Sequence, residues 1–177
     1  MTQQLVIDHV SKVFGGLKAV ADVTMTIEQG TLIALIGPNG AGKTTLFNML
    51  TGESGPSSGT ITLYTADGPV DITKKKAYQV AKLGVARTFQ NIRLFGAMTV
   101  KENVLVARTH LYRESFIGTM LRLPQFYQQE AAVATAADEL LDFFELADVA
   151  DEPTASLPYG TQRRVEIVRA VATKPQL

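Results

Sequence analysis

One short stretch of the chain combines glycines, a lysine and two threonines in the order of a phosphate-binding loop. Residues 37–45 read Gly-Pro-Asn-Gly-Ala-Gly-Lys-Thr-Thr and fit the pattern G-x-x-x-x-G-K-[ST]. The glycines let backbone N–H groups turn toward phosphate oxygens at the start of a helix. Lys43 would reach the β- and γ-phosphates, and the Thr44 hydroxyl would hold Mg²⁺. The pattern therefore predicts a site for a nucleoside triphosphate. Its candidate contacts are Gly37, Pro38, Asn39, Gly40, Ala41, Gly42, Lys43, Thr44 and Thr45.

The segments around this loop predict the elements that hold it in place. The apolar run at 31–36 predicts a strand before the loop, and residues 45–50 predict a helix after it. Thr99 and Glu102 have the spacing of a capping box, which would open a helix at that point. Further strands are predicted at 5–10, 23–27, 61–64 and 85–90, and further helices at 77–83, 99–108, 128–146 and 161–172. Strands thus dominate the first half of the chain and helices the second.

The overall composition limits the classes of function. A chain of 177 residues fits one domain, or one domain with a subdomain. Lysines plus arginines number 17, as do aspartates plus glutamates, so charge gives no support for binding nucleic acid or an acidic membrane. The absence of cysteine excludes disulfides and thiolate metal sites. We expect no signal peptide and no membrane span, so that a membrane role would require a partner.

Three further motifs narrow the range of nucleotide-binding proteins. A Phe-Gly-Gly sequence begins at Phe14, Arg87–Gln90 reads Arg-Thr-Phe-Gln, and Leu157–Arg164 reads Leu-Pro-Tyr-Gly-Thr-Gln-Arg-Arg. With the phosphate loop, this order resembles the ATP-binding subunit of an ABC transporter over the whole chain. Phe14–Val20, Arg87–Phe95 and Leu157–Gly160 together resemble the ATPase of high-affinity branched-chain amino-acid importers, and the extra residues around Leu111–Phe126 suit the same branch.

The resemblance implies an α/β P-loop NTPase fold of the ABC type, with an N-terminal antiparallel β subdomain and a helical subdomain. It places the nucleotide-binding core at 1–90, the helical subdomain at 91–158, and a signature loop and helix at 159–177. We expect the fold to be incomplete at the C-terminus. The family pattern continues with a strand ending in Asp-Glu and then a switch histidine, and Asp8, Asp142, His9 and His110 do not match those positions. We therefore expect these 177 residues to bind ATP without hydrolysing it appreciably.

The resemblance also assigns individual residues. Phe14 would stack on adenine, with a core position as the alternative, and Val20 would pack against the base or ribose or equally well in the core. Gln90 would touch Mg²⁺ or its water and signal to the membrane subunit; a merely solvated glutamine is the alternative.

A second nucleotide site is implied at the signature loop. Tyr159, Gly160 and Thr161 would close on the ATP of a facing subunit through backbone amides at a helix N-terminus. The chain departs from the usual pattern here, with Pro158 for serine, Tyr159 for glycine and Thr161 for glutamine. Pro158 supplies neither a hydroxyl nor an N–H, so the backbone of Gly160 and Thr161 must contribute more.

The implied function is to power the import of branched-chain or other neutral amino acids by binding and hydrolysing ATP with Mg²⁺. The implied partners are a second ATP-binding subunit, identical or different, and transmembrane permease subunits contacted near Gln90–Phe95. Apolar Ile92, Leu94 and Phe95 would anchor the permease or else close the core. A solute-binding protein would act indirectly, and the location would be the cytoplasmic face of a bacterial-type membrane.

Four alternatives stay open. Two are other ABC systems, namely urea or amide import and lipopolysaccharide export. The third is a nucleotide-binding module that does not hydrolyse ATP. The fourth is a small-molecule P-loop kinase, which the signature helix disfavours.

Overall fold

The computed structural model describes residues 3–111 and 124–177. The segment 112–123, with most of the residues around Leu111–Phe126 that support the importer resemblance, lies outside that description. The strands are β1 (Gln3–Phe14), β2 (Leu17–Glu28), β3 (Ser58–Thr65) and β4 (Gly68–Asp71). The helices are α1 (Lys43–Leu50), α2 (Ala77–Lys82), α3 (Val100–Arg108), α4 (Pro124–Phe143) and α5 (Tyr159–Ala172). Short 3-10 turns follow at Thr109–Leu111, Ala147–Val149 and Thr154–Ser156.

The chain divides into two compact units, one comprising the residues up to 85 together with Leu177, the other residues 86–176. The first unit contains an antiparallel sheet in the order β2-β1-β3-β4, as the resemblance implied. Leu5 on the central strand pairs with Ile27 on one side and Leu63 on the other. The buried side of the sheet packs with α1 and α2 around one apolar core. Its fully buried members include Leu5, Ile7, Val10, Met49, Ile61, Leu63, Ile72 and Val80.

Two predicted strands are wrong. Residues 31–36 and 85–90 belong to no helix or strand and to no ladder among the described residues. A strand requires a hydrogen-bonded neighbour as well as suitable residues. Residues 31–36 have the β-branched and apolar composition of a strand, yet Leu32 is 100% exposed. Strand-like composition therefore did not suffice to predict a paired strand at this place.

The second unit is a small helical bundle. Helices α3, α4 and α5 pack around a core that includes Val104, Leu141 and Val168. The predicted capping box is confirmed: Thr99 Oγ1 accepts from the Glu102 amide at 3.1 Å, and Glu102 Oε2 accepts from the Thr99 amide at 2.8 Å.

Helix α4 ends three residues before its predicted end at 146. Glu145 adopts a left-handed backbone with φ 54°, and the Leu146 amide donates to the Leu141 carbonyl at 2.8 Å. This is a Schellman-type termination, in which the buried Leu146 packs back on the core and fixes the end of the helix. No helix within residues 3–111 and 124–177 has the length and hydrophobicity needed to cross a membrane.

Candidate nucleotide-binding site

The phosphate loop at 37–42 leads directly into α1, as the sequence predicts. Gly40 and Gly42 both adopt left-handed backbone, with φ 85° and 84°. The Ala41 amide donates to the Pro38 carbonyl at 3.3 Å, which turns the chain at the tip. Residues with a side chain rarely adopt such positive φ angles. The two glycines therefore allow a tightly curved backbone, whose N–H groups can turn toward an anion.

Gly42 also packs close to β2. An ideal Cβ at this position would lie 2.2 Å from the Ala19 carbonyl oxygen and 3.2 Å from Val20 Cγ2. Only a residue without a side chain fits there, so the end of the loop lies directly against the strand. Gly40 has the same backbone conformation, yet a Cβ there would meet nothing within 4 Å.

Lys43 points its side chain back over the loop that precedes it. Its Nζ donates to the carbonyl oxygens of Gly37 at 2.7 Å and Pro38 at 2.8 Å. The ammonium therefore lies against the start of the loop, and its predicted contact with the β- and γ-phosphates stays a prediction. Thr44 is exposed, so its hydroxyl is accessible, and Thr45 is half-buried.

The β1–β2 hairpin brings the candidate adenine contact to the same unit. Phe14 is 51% exposed and pairs with Leu17 at the turn of this hairpin. Lys12, two residues before Phe14 on β1, pairs with Val20. Lys12 Nζ lies 5.1 Å from the Phe14 ring centroid and donates to the Gly55 carbonyl at 2.5 Å. Phe14 lies at the turn of the hairpin whose strand β2 packs against Gly42, and its stacking on adenine stays a prediction. Val20 is buried in the core, and its proposed contact with the base or ribose stays a prediction.

The second unit contains Gln90, whose side chain is exposed. It lies in irregular backbone that is held by side chains of α5. Glu166 accepts from the Phe89 amide at 3.0 Å, and Arg163 donates to the Phe89 carbonyl. Burial lowers the pKa of Arg169 on the same helix, and the negative charge of Glu166 opposes that shift.

A few residues further, Phe95 is fixed in a similar way. The buried Asn103 amide accepts from the Phe95 N–H at 3.0 Å and donates to its carbonyl at 3.2 Å, and Thr154 Oγ1 donates to that carbonyl at 3.0 Å. Leu94 packs against the helical core, whereas Phe95 is 52% exposed. Ile92 is half-buried.

The sequence did not identify the residues that hold these two segments, namely Asn103, Thr154, Arg163 and Glu166. The one available signal was an Arg–Glu pair three residues apart on α5, with the glutamate among apolar positions of the predicted helix.

The signature loop leads into α5 at Tyr159, two residues before the start at 161 that the sequence predicts. Pro158 precedes the helix, and no side chain caps it. Tyr159 and Gly160 are exposed, and Thr161 is half-buried. The first amides of a helix have no acceptor within it, so these amides could meet an anion. Gln162 instead bonds backward, its Nε2 donating to the Leu157 carbonyl at 2.9 Å.

The model of the ABC transporter family matches residues 20–177, which include the phosphate loop, Gln90 and α5. The chain belongs to the ABC transporter family. As an ABC protein it is 40% identical over 164 residues to the "High-affinity branched-chain amino acid transport ATP-binding protein LivG" of Salmonella typhimurium, covering 93% of this chain and 63% of that protein. It is 41% identical over 164 residues to the corresponding BraF protein of Pseudomonas aeruginosa, with the same coverage.

Solved structures agree with the fold of this ABC chain. The ATP-binding cassette MJ1267, solved in its ADP conformation, superposes with a TM-score of 0.76 at 31% identity over 99% of this chain and 66% of that one. The fold is thus that of an ABC cassette. The chain spans about 63% of the length of the curated relatives it matches.

Proposed function

We propose that this chain binds Mg-ATP through residues 37–45 and forms part of the ATP-binding subunit of an ABC importer for branched-chain amino acids. The observation that carries the binding proposal is the position of Lys43, whose ammonium lies on the carbonyls of Gly37 and Pro38 at the start of the loop. The Lys43 ammonium thus lies beside a loop whose backbone is tightly curved at two glycines with left-handed conformation. This combination is suited to binding the phosphate groups of a nucleotide. The similar ATP-binding cassette MJ1267 was solved in an ADP conformation, which supports the same ligand class for this chain.

Magnesium would be held by the Thr44 hydroxyl, which is exposed at the first turn of α1. When bound, the ion would neutralise part of the phosphate charge. Gln90 is the second metal candidate and stays a prediction. Thr44→Ala should therefore reduce the dependence of ATP affinity on Mg²⁺, while Thr44→Ser, which keeps a hydroxyl, should preserve it.

Titration calorimetry with ATP, with and without Mg²⁺, tests the binding proposal directly. We expect the wild-type chain to bind Mg-ATP and Mg-ADP more tightly than Mg-AMP, because the loop holds the β- and γ-phosphates. Equal affinity for Mg-AMP and Mg-ATP would contradict the assignment of the loop.

The transport role rests on the names of the similar LivG and BraF proteins. We infer that the whole protein hydrolyses ATP as one of two facing subunits, attached to permease subunits at the cytoplasmic face of the membrane. In that pair, the amides of Tyr159, Gly160 and Thr161 would meet the partner's ATP. A solute-binding protein would deliver the amino acid to the permease.

Uptake of labelled leucine by cells tests the choice of solute. Disruption of the gene for this protein should abolish uptake that is driven by ATP, and restoration of the intact gene should recover it. Unchanged leucine uptake with lost urea uptake, or with lost lipopolysaccharide export, would assign the protein to another ABC system.

A further inference from the structure

Glu166 is a carboxylate almost wholly removed from solvent. It is 3% exposed and sits on α5 among the buried Val165, Val168 and Ala172. A buried charge is unfavourable unless it is paired and hydrogen-bonded. Arg163 NH1 lies 2.5 Å from Glu166 Oε2, and the Phe89 amide lies 3.0 Å from Oε1. Both carboxylate oxygens therefore have a partner.

The same pair of side chains holds both polar groups of Phe89. Glu166 accepts from its N–H, and Arg163 donates to its carbonyl oxygen. These two contacts span 77 and 74 residues of sequence, so they join distant parts of the second unit. Phe89 immediately precedes Gln90.

A further contact from α5 lies on the other side of Gln90. Arg169 NH1 donates to the Arg93 carbonyl at 2.5 Å. The Arg93 guanidinium in turn lies 4.3 Å from the centroid of the Phe89 ring. The backbone on both sides of the exposed Gln90 is thus attached to one helix, in a segment without helix or strand hydrogen bonding.

We propose that Arg163, Glu166 and Arg169 form a brace that sets the position of Gln90 relative to α5, with Glu166 as its central positioning residue. This proposal rests on the proposed function where it concerns the role of Gln90 in ATP turnover. The brace holds the backbone on both sides of Gln90 against the helix that begins at the signature loop.

Amide hydrogen exchange of this chain tests the brace without any nucleotide. Glu166→Ala removes the acceptor of the Phe89 N–H, so exchange in peptides covering 87–93 should rise about tenfold or more, since hydrogen bonds to charged groups are among the stronger ones. Glu166→Gln keeps an acceptor oxygen, so exchange in the same peptides should rise less in that variant. Glu139→Gln, at an exposed glutamate of α4 in the same unit, is the matched control and should leave that exchange unchanged.

Turnover by the assembled transporter tests the positioning role. Glu166→Ala should lower kcat about tenfold with KM for ATP changed less than about twofold, because the phosphate loop is untouched. In a double-mutant cycle, Glu166→Ala should add little to Gln90→Ala, because the first substitution acts through the second residue. Arg163→Gln, at a half-buried position, provides the same test should Glu166→Ala fail to fold.

Unchanged exchange at 87–93, or kcat losses that simply add in the double variant, would overturn the proposal. A proportional loss of ATP affinity and kcat would also overturn it, because that pattern indicates general damage to the fold. Failure of the wild-type chain to bind ATP would instead contradict the proposed function, and the exchange result would still decide whether the brace exists.

Discussion

The side-chain ammonium of Lys43 lies 2.7 Å from the carbonyl oxygen of Gly37, so the lysine of the phosphate loop folds back onto the first residue of the loop. This arrangement places one positive charge at the carbonyls of Gly37 and Pro38, the first two residues of the loop. We predict that Lys43→Ala weakens ATP binding about tenfold or more, since a hydrogen bond to a charged group contributes about 1.5–3 kcal/mol. Calorimetric titration of both proteins with Mg-ATP measures the change.

The matched control for this substitution is Lys74→Ala, which removes an exposed lysine from the same unit. We expect this variant to bind ATP as the wild type does. Equal ATP affinity of the wild type and Lys43→Ala would contradict the assignment of the loop.

Two glycines of the loop should respond differently to the same substitution. Gly40→Ala forces a left-handed alanine into open space, at a cost of about 1–2 kcal/mol. Gly42→Ala adds to this the contact of its Cβ with the Ala19 carbonyl oxygen. We therefore predict that Gly42→Ala lowers the free energy of unfolding by more than Gly40→Ala, as measured by urea denaturation. A larger loss for Gly40→Ala would show that the loop does not pack on β2 as described.

Local rules account for the elements that the sequence predicted well. The Thr99–Glu102 capping box fixes the start of α3 from four adjacent residues, and apolar periodicity identified α4 and α5. Pairing information is what the sequence lacks. Residues 31–36 have strand-forming composition but no partner strand among the described residues, and in the stretch 85–90 the backbone of Phe89 is held by side chains of α5 instead.

The residues of the candidate site also differ in whether a local sequence pattern identified them. The phosphate loop is contiguous, so the pattern alone identified its residues. The Glu166–Phe89 contact joins residues 77 positions apart, and no local pattern reports such a distance. In the sequence, the one sign that Glu166 has a partner was its place among apolar positions of the predicted helix, three residues after Arg163.

Phe14 offers a test of base stacking that is separable from phosphate binding. We predict that Phe14→Ala weakens ATP binding about tenfold, since stacking on an aromatic side chain contributes about 1–3 kcal/mol per base. Affinity for inorganic triphosphate should stay unchanged, because that ligand has no base. The half-exposed position of Phe14 means that stability should change little. Titration calorimetry with the two ligands measures the difference.

Phe143→Ala, at an exposed phenylalanine of α4, is the control and should affect neither ligand. Equal losses for ATP and inorganic triphosphate in Phe14→Ala would indicate damage to the loop in place of lost stacking.

His9 should titrate above its ordinary range. Its Nδ1 lies 2.7 Å from Asp22 Oδ1, and this hydrogen bond, with the negative charges of Asp22 and Asp8, raises the pKa of His9. The associated stabilisation is fully present below the unfolded pKa of about 6.5 and is lost as the pH rises through the folded pKa. Asp22→Asn should return the pKa of His9 toward its ordinary value, as followed by NMR of the ring. Asp8→Asn should have a smaller effect, because Asp8 lies 3.8 Å away and acts only through its charge. An unaltered pKa of His9 in Asp22→Asn would contradict the assigned contact.

The predicted permease contact is best tested at Phe95. Leu94 packs against the helical core, so a charge there should destabilise the fold and obscure any effect on a partner. Phe95 is half exposed, and its ring lies 5.7 Å from the Arg169 guanidinium, so Phe95→Asp should cost little more than that cation–π contact, about 1 kcal/mol. We predict that Phe95→Asp retains ATP binding but reduces co-purification of the permease subunits at least about tenfold, since aromatic anchors dominate protein interfaces.

Tyr78→Asp, which places the same charge at an exposed aromatic of the first unit, should leave co-purification intact. Full permease recovery with Phe95→Asp would assign the exposed ring to another role.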